Sequence, residues 1–342
     1  MIDSLNDVRG IKLSSDRFHS ATHEEIISGL TTDIYFIKTI EVLRHLGLDK
    51  VNVVADIFPR REGVMAGVEE VLKLLQGKKG VKVWGLEEGE EFGEKEVVMQ
   101  IEGPYLEFGP LETVILGMLA SASSWASAAR ECKKAAGDKM LLCFGARHVH
   151  PAVAPVMERA ALVGGADAAS CILGAKLFGK EPTGTIPHAA ILIAGDTLVF
   201  ARAYDEIMPD EEPRIVLVDT FKDEAEESIR VAKLLRDRLL GIRLDTPDER
   251  GGVTLDLVKE VRARLDLAGF NRVKIFVSGG LNPDRIRALR DAPVDGFGVG
   301  SYIVHGVPID MTMDLKEVMG KPLAKRGRIP GRSKNPRLKR LL

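Results

Sequence analysis

Two glycine-rich turns late in the chain carry the clearest chemistry in the sequence. In VSGGLNPDRI (277–286), Ser278 supplies a hydroxyl while Gly279 and Gly280 let backbone N–H groups approach a ligand closely. Asn282–Pro283 then opens a helix whose N-terminus favours an anion. FGVGSYI (297–303) repeats the arrangement with Gly298, Gly300 and Ser301. One glycine-rich turn can simply solve a backbone problem. Two at successive strand ends point to a phosphate held between them, as late loops of α/β barrels often do.

Other strand ends carry charge. FGARHVHP (144–151) places Arg147, His148 and His150 together. The planar fork of an arginine suits a carboxylate or a phosphate; its structural alternative is an ion pair with a nearby acid. The histidines have no third ligand at motif spacing, so no dedicated metal site is expected. Asp219 in LVDT, and Arg243 with Asp245 in RLDT, share one form: an apolar strand, then a carboxylate and a threonine. Such carboxylates can accept ribose hydroxyls, hold a divalent ion on a diphosphate, or stabilise developing positive charge. They can also cap the next helix, a task that Thr220 or Thr246 could take instead. His188, in PTGTIPHAA, is open to several readings: general base, phosphate ligand, phosphorylated nucleophile, or a helix-start histidine facing solvent.

Regular elements must bring these residues together. Five runs stand out: MLLCFGARH (140–148), PTGTIPHA (182–189), RIVLVDTF (214–221), GIRLDT (241–246) and VKIFVSGG (273–280). Amphipathic helices are expected at 222–239, 254–268 and 283–291, with Pro151 and Pro155 at a helix start. The alternation predicts a parallel α/β barrel whose strand ends converge on one face. About six strands can be counted up to VDGFGVGS, and residues 164–200 parse in more than one way. The first part reads as α+β: a helix over 33–46, a strand over 50–58, a helix over 64–75, and strands VKVWGL and VVMQIEG. The acidic run EEGEEFGEKE between those strands reads as a solvated hairpin connection. Domain limits are expected at 1–115, 116–305 and 306–342, the first boundary falling near the small-residue-rich segment 109–137. The basic, proline-punctuated tail reads as a partly extended strap on an acidic surface of the N-terminal domain.

The 342 residues are 45% hydrophobic and 29% charged with a net charge of −2, which supplies no global pull toward nucleic acid or a membrane. No run of about 18 uninterrupted apolar residues occurs, so neither a membrane span nor a signal peptide is expected. Cys132, Cys143 and Cys171 lack CxxC spacing and read as buried thiols in a reducing, cytoplasmic compartment.

FGARHVHP, GGADAASCILGAKLFGKEPTGTIPHA, VDTFKDE, LDTPDERGG, FVSGGLNPDRI and GKPLAKRGRIPG, in this order, resemble the short, archaeal-type nicotinate phosphoribosyltransferases. The resemblance covers most of residues 30–330. It implies a type II phosphoribosyltransferase fold: an incomplete parallel α/β barrel of about six to seven strands with an N-terminal α/β sandwich domain. It implies the substrates nicotinate and phosphoribosyl pyrophosphate (PRPP), magnesium carried with the diphosphate, and ATP as co-substrate. It also implies a homodimer, or a higher oligomer of dimers, with shared active sites. Residues 278–280 and 298–301 would hold the ribose 5-phosphate. Asp219 and Asp245 would engage ribose, diphosphate and magnesium. Arg147, His148, Ser170, Thr185 and Arg243 would bind substrate. Tyr35, in TTDIYFIKT, would reach the ring from a neighbouring subunit, and His188 matches the position that relatives phosphorylate with ATP. The alternatives are quinolinate phosphoribosyltransferase (decarboxylating), which would call for more cations than ARHVH offers, and a non-catalytic nucleotide-binding relative. The tail holds no cysteine, which departs from short relatives ending in a metal knuckle.

Overall fold

The computed structural model describes residues 2–342. The chain divides into two compact units, residues 1–127 with 307–342, and residues 128–306. The division between residues 127 and 128 falls inside the continuous helix Glu112–Ala136, which runs on through the small residues of that segment.

The first unit contributes β1 (Asn52–Pro59), β2 (Gly63–Val64), β3 (Lys82–Gly85), β4 (Glu91–Phe92) and β5 (Met99–Pro104) before the long helix. Ala55, Ile57, Val83, Met99 and Ile101 point to one face of these strands and are fully buried. Helix Val68–Leu75 covers the same core, burying Val68, Val71, Leu74 and Leu75 at helical spacing. That helix starts four residues later than its apolar pattern, because Val64 pairs in β2 and Gly67, at φ 85°, turns the chain before it. Helix Ile34–His45 buries Phe36, Ile37 and Ile40 and leaves Tyr35 exposed.

The second unit carries β6 (Met140–Cys143), β7 (Ala168–Ala169), β8 (Arg214–Leu217), β9 (Leu239–Leu244), β10 (Lys274–Val277) and β11 (Gly296–Val299). Every pairing is parallel, in the order β7-β6-β11-β10-β9-β8. First and last strands of the unit therefore pair, and the sheet curls into the expected six-stranded incomplete barrel, open between β7 and β8. PTGTIPHA does not form a strand. Pro182 and Pro187 cannot donate to a ladder, so residues 182–187 form a loop before helix His188–Ala194. ILIAGDTLVFARAY resolves into that helix and Thr197–Ile207. Phenylalanines fill the barrel where glycines leave room: a Cβ on Gly298 would stand 2.5 Å from the Phe144 ring, and one on Gly296 2.9 Å from that of Phe276. No helix among the described residues is long and apolar enough to cross a membrane.

The chain then returns to the first unit with β12 (Met311–Val318), β13 (Lys321–Pro322) and β14 (Lys339–Arg340). They complete an antiparallel sheet of order β13-β12-β1-β5-β3-β14. The basic tail crosses this unit. Lys325 and Arg328 both reach the buried Asp314, each at 2.6 Å. Arg332 bridges Glu102 and Glu317, and Arg337 meets Glu96 at 2.8 Å. Lys339 pairs with Glu87. The acidic run 87–96 is thus not merely a solvated connection; its counter-ions arrive from about 240 residues further along the chain.

Candidate active site at the strand ends

The C-terminal ends of the barrel strands surround a cleft of about 670 Å³. The loop after β6 brings Arg147 and His148 to it, the end of β7 brings Ser170, and the loop before helix His188–Ala194 brings Thr185 and His188. Arg243 and Asp245 enter at the end of β9. Ser278, Gly279 and Gly280 follow β10, Gly298 lies near the end of β11, and Gly300 and Ser301 follow it. Parallel strands impose this convergence, since every strand leaves its end on the same face. Tyr35 belongs to the first unit, where its ring centroid lies 4.3 Å from that of Phe36, and it does not line the cleft.

Gly279 and Gly280 both hold positive φ, 92° and 56°. A Cβ on Gly279 would press within 3.2 Å of Asp245 Oδ1, so the turn needs glycine for space as well as for conformation. Ser278 donates its hydroxyl to Asp245 Oδ1 at 2.7 Å, while Arg243 Nη2 stands 3.7 Å from Asp245 Oδ2. The serine hydroxyl is therefore committed to orienting a carboxylate, leaving the glycine amides as the turn's open donors. Asn282 caps helix Pro283–Arg290 through the Arg285 amide, 2.9 Å away.

Asp219 is only 1% exposed in its side chain, and its Oδ1 lies 3.1 Å from His188 Nε2. Burial raises its pKa above the usual aspartate value; His188 opposes the shift and Asp245 adds to it. Burial likewise lowers the Arg243 pKa, with Arg147 adding to the fall and Asp245 and Asp219 opposing it. Four buried polar atoms in this region have no hydrogen-bond partner among the described residues: Asp219 Oδ2, Thr185 Oγ1, Thr220 Oγ1 and Arg243 Nε. Buried polar groups are rarely left so, and their grouping singles out this region as a candidate site. Neither threonine proposed as a cap serves as one. Asp223 caps helix Glu224–Leu235, Thr254 caps Leu255–Leu267, and the Thr246 hydroxyl donates to the buried Glu224 at 2.8 Å. Asp219 and Asp245 are free of that duty too.

Arg147 is exposed and its guanidinium meets no carboxylate among the described residues; its Nε lies 3.4 Å from His148 Nε2. Burial, with Arg147 and His305 nearby, lowers the His148 pKa and favours the neutral ring. His150 accepts from the Ala152 amide at 3.1 Å, a local turn contact. No group of three or more His, Cys, Asp or Glu could hold a metal among the described residues. Cys132 is buried and its thiol pushed up to about 12, which makes it inert at neutral pH.

One polar residue at the site escaped sequence reasoning. Glu158 lies fully buried on helix Ala154–Val163 and accepts hydrogen bonds from the loops after β6 and β7. The available signal was a single acid inside the otherwise apolar face of APVMERAALV.

Two family models match the chain. Quinolinate phosphoribosyl transferase, N-terminal domain, matches residues 33–123, and the C-terminal domain of the same family matches 125–314. The chain is 28% identical over 314 residues to a nicotinate phosphoribosyltransferase of Bacillus subtilis, covering 80% of this chain and 63% of that protein. It is 34% identical over 245 residues to one from Mycobacterium tuberculosis, covering 69% and 51%. The chain thus spans about half to two thirds of the length of these relatives. Among solved structures, nicotinate-nucleotide pyrophosphorylase from Pyrococcus furiosus superposes with a TM-score of 0.87 at 45% identity, over 93% of this chain and 82% of that one. Human nicotinic acid phosphoribosyltransferase shares the fold, with a TM-score of 0.71 at 20% identity over 88% and 77%. With the cleft at the barrel strand ends, and with the C-terminal family model alone spanning more than half of its length, this chain belongs to the quinolinate phosphoribosyl transferase family.

Proposed function

We propose that this protein transfers the phosphoribosyl group of PRPP to nicotinate, yielding nicotinate mononucleotide and diphosphate for NAD biosynthesis. One observation carries the choice of acceptor: of the two arginines lining the cleft, Arg243 stands beside Asp245 and Arg147 has no acid partner among the described residues. One uncommitted cation fits one ring carboxylate; the two carboxylates of quinolinate would call for more.

The remaining roles follow from position. The amides of Gly279 and Gly280, with Gly298, Gly300 and Ser301 at the end of β11, would receive the ribose 5-phosphate. Asp245, oriented by Ser278, would accept ribose hydroxyls, and magnesium would arrive chelated by the diphosphate rather than held by a protein cage. As diphosphate leaves, positive charge develops on the ribose and the pyridine nitrogen attacks the anomeric carbon. Asp219, ionised, would stabilise that charge in a desolvated setting. With ATP as co-substrate, His188 would accept a phosphoryl group on the ring nitrogen not held by Asp219.

We further propose a homodimer that brings Tyr35 to a partner's cleft. Ile34, Val42 and Leu46 on one unit are exposed, as are Ile172, Leu177, Ile193 and Val199 on the other. Apolar surface on this scale suits subunit contact.

The family models favour a second reading, transfer to quinolinate with loss of carbon dioxide. Product formation from PRPP and magnesium with nicotinate, quinolinate or nicotinamide, each with and without ATP, separates the two. Nicotinate-only turnover, stimulated by ATP in the wild type but not in His188→Ala, is the expected result. Carbon dioxide release from quinolinate would move the assignment to the second reading, and inactivity with all three would leave a non-catalytic relative.

A further inference from the structure

Glu158 occupies an unusual position for a carboxylate. It lies midway along helix Ala154–Val163 with 0% of its surface exposed, between Met157 and the buried Ala160 and Ala161. Its Oε1 accepts from the Gly145 amide, the Ala146 amide and the Ser170 hydroxyl, each at 3.0 Å. Its Oε2 accepts from the Cys171 amide. All four donors are neutral, and they come from two loops only: the one after β6 that carries Arg147 and His148, and the one after β7 that carries Ser170. The packing leaves room for this contact. Gly174, on helix Ile172–Leu177, would place a Cβ 3.1 Å from both Glu158 Cβ and the Pro155 carbonyl oxygen, so the two helices touch where a larger residue would part them. A leucine or methionine would fill the same volume without the desolvation of a charge.

We infer that Glu158 is a positioning residue for the pyridine-carboxylate subsite, its buried charge locking the Arg147 loop and the Ser170 loop in one mutual register. The inference rests on the phosphoribosyl-transfer reading above. Hydrogen bonds to an ionised acceptor are stronger than neutral ones, and three here fall on backbone amides, so the loops are held by their main chain and not through adjustable side chains. Arg147 then meets a ring carboxylate from a base that does not shift, while among the described residues the loops after β10 and β11, which would receive PRPP, donate no hydrogen bond to Glu158. Ordering a subsite in advance of ligand is a direct route to affinity.

The test compares wild type, Glu158→Gln and Glu158→Asp in the full-length protein, using whichever pyridine acid the wild type turns over. In Glu158→Gln the KM for the pyridine acid should rise at least tenfold, the KM for PRPP should stay within about twofold, and amide exchange at Gly145, Ala146 and Cys171 should speed up at least tenfold. Glu158→Asp keeps the charge but withdraws it by one methylene, and guards against a glutamine variant that fails to fold; the same split in KM is expected at smaller amplitude. Equal rises in both KM values, or wild-type KM values in either folded variant, would reduce Glu158 to a packing role and overturn the inference alone. A wild type inactive toward nicotinate, quinolinate and nicotinamide would overturn the transfer reading and this inference with it, and only the wild-type arm would show that.

Discussion

The outer face of the first unit's sheet and the cleft of the barrel use the same residue types to opposite ends. On the sheet, acids and bases meet. Asp314 is held by Lys325 and Arg328, Glu102 by Arg332 and Lys82, and Glu96 by Arg337 and Asn335. Arg328 also lies over the Phe58 ring, with Arg332 and Arg340 over Trp84. In the cleft the same groups are left short of partners: among the described residues Arg147 faces no acid and Arg243 Nε and Asp219 Oδ2 have no hydrogen bond, and burial holds the Asp219 pKa up. Charges that satisfy one another secure a fold; charges kept apart at strand ends mark a candidate site.

Substitutions that lose activity should therefore spare stability in the cleft, and the reverse should hold on the sheet. Asp219→Asn should have the largest effect, lowering kcat/KM by about 10³, as steady-state kinetics would show. Because the folded pKa of Asp219 is raised, its contribution to stability is complete below the unfolded value and lost as pH rises through the folded one. A neutral asparagine should then cost little stability at pH 7; a lower melting temperature there would break the comparison. In the wild type, the acid limb of the kcat profile should lie above the ordinary aspartate range, and move higher in His188→Ala assayed without ATP. Arg147→Ala should raise the KM for the pyridine acid about 30-fold, with stability unchanged within about 0.5 kcal/mol by denaturant titration.

Asp314→Ala should do the opposite. It leaves Lys325 and Arg328 without their acid and should cost about 2 kcal/mol, a figure reduced because both cations are partly exposed, while leaving both KM values unchanged. Glu112→Gln should have the smallest effect. Burial, with Asp314 and Asp33 adding and Lys325 opposing, raises the Glu112 pKa to about 7. Its stabilising contribution is present at acid pH and lost as pH rises through about 7. The glutamine variant should gain about 1 kcal/mol over wild type at pH 8 and nothing at pH 4, after allowance for solvent screening. A gain independent of pH would place its cause elsewhere than in that carboxyl.

Much of the barrel was legible in the chain. Apolar runs of four to six residues ending in Arg, Asp, Ser or Gly announce parallel strands, and five of the six strands sit within or beside runs visible in the sequence. PTGTIPHA misled because its threonines and His188 have the look of a strand end and do line the cleft, whereas its two prolines deny it a strand. The stop of helix Glu224–Leu235 before 239 was also hidden, since Arg236 turns the backbone at φ 50° without a glycine to mark it.

The sequence by itself determined which residues could carry charge at strand ends, where glycine would admit a phosphate, and that helices and strands alternate. These are local properties, set by residue type and by spacing within a few turns. Only the tertiary structure decided which charges remain without partners. Asp245 is oriented by Ser278, 33 residues away, Asp219 pairs with His188, 31 away, and Arg337 and Lys339 of the tail find acids more than 200 residues behind them. Glu158 was invisible for the same reason. An acid in an apolar helix declares its purpose only when the loops that donate to it have been folded around it.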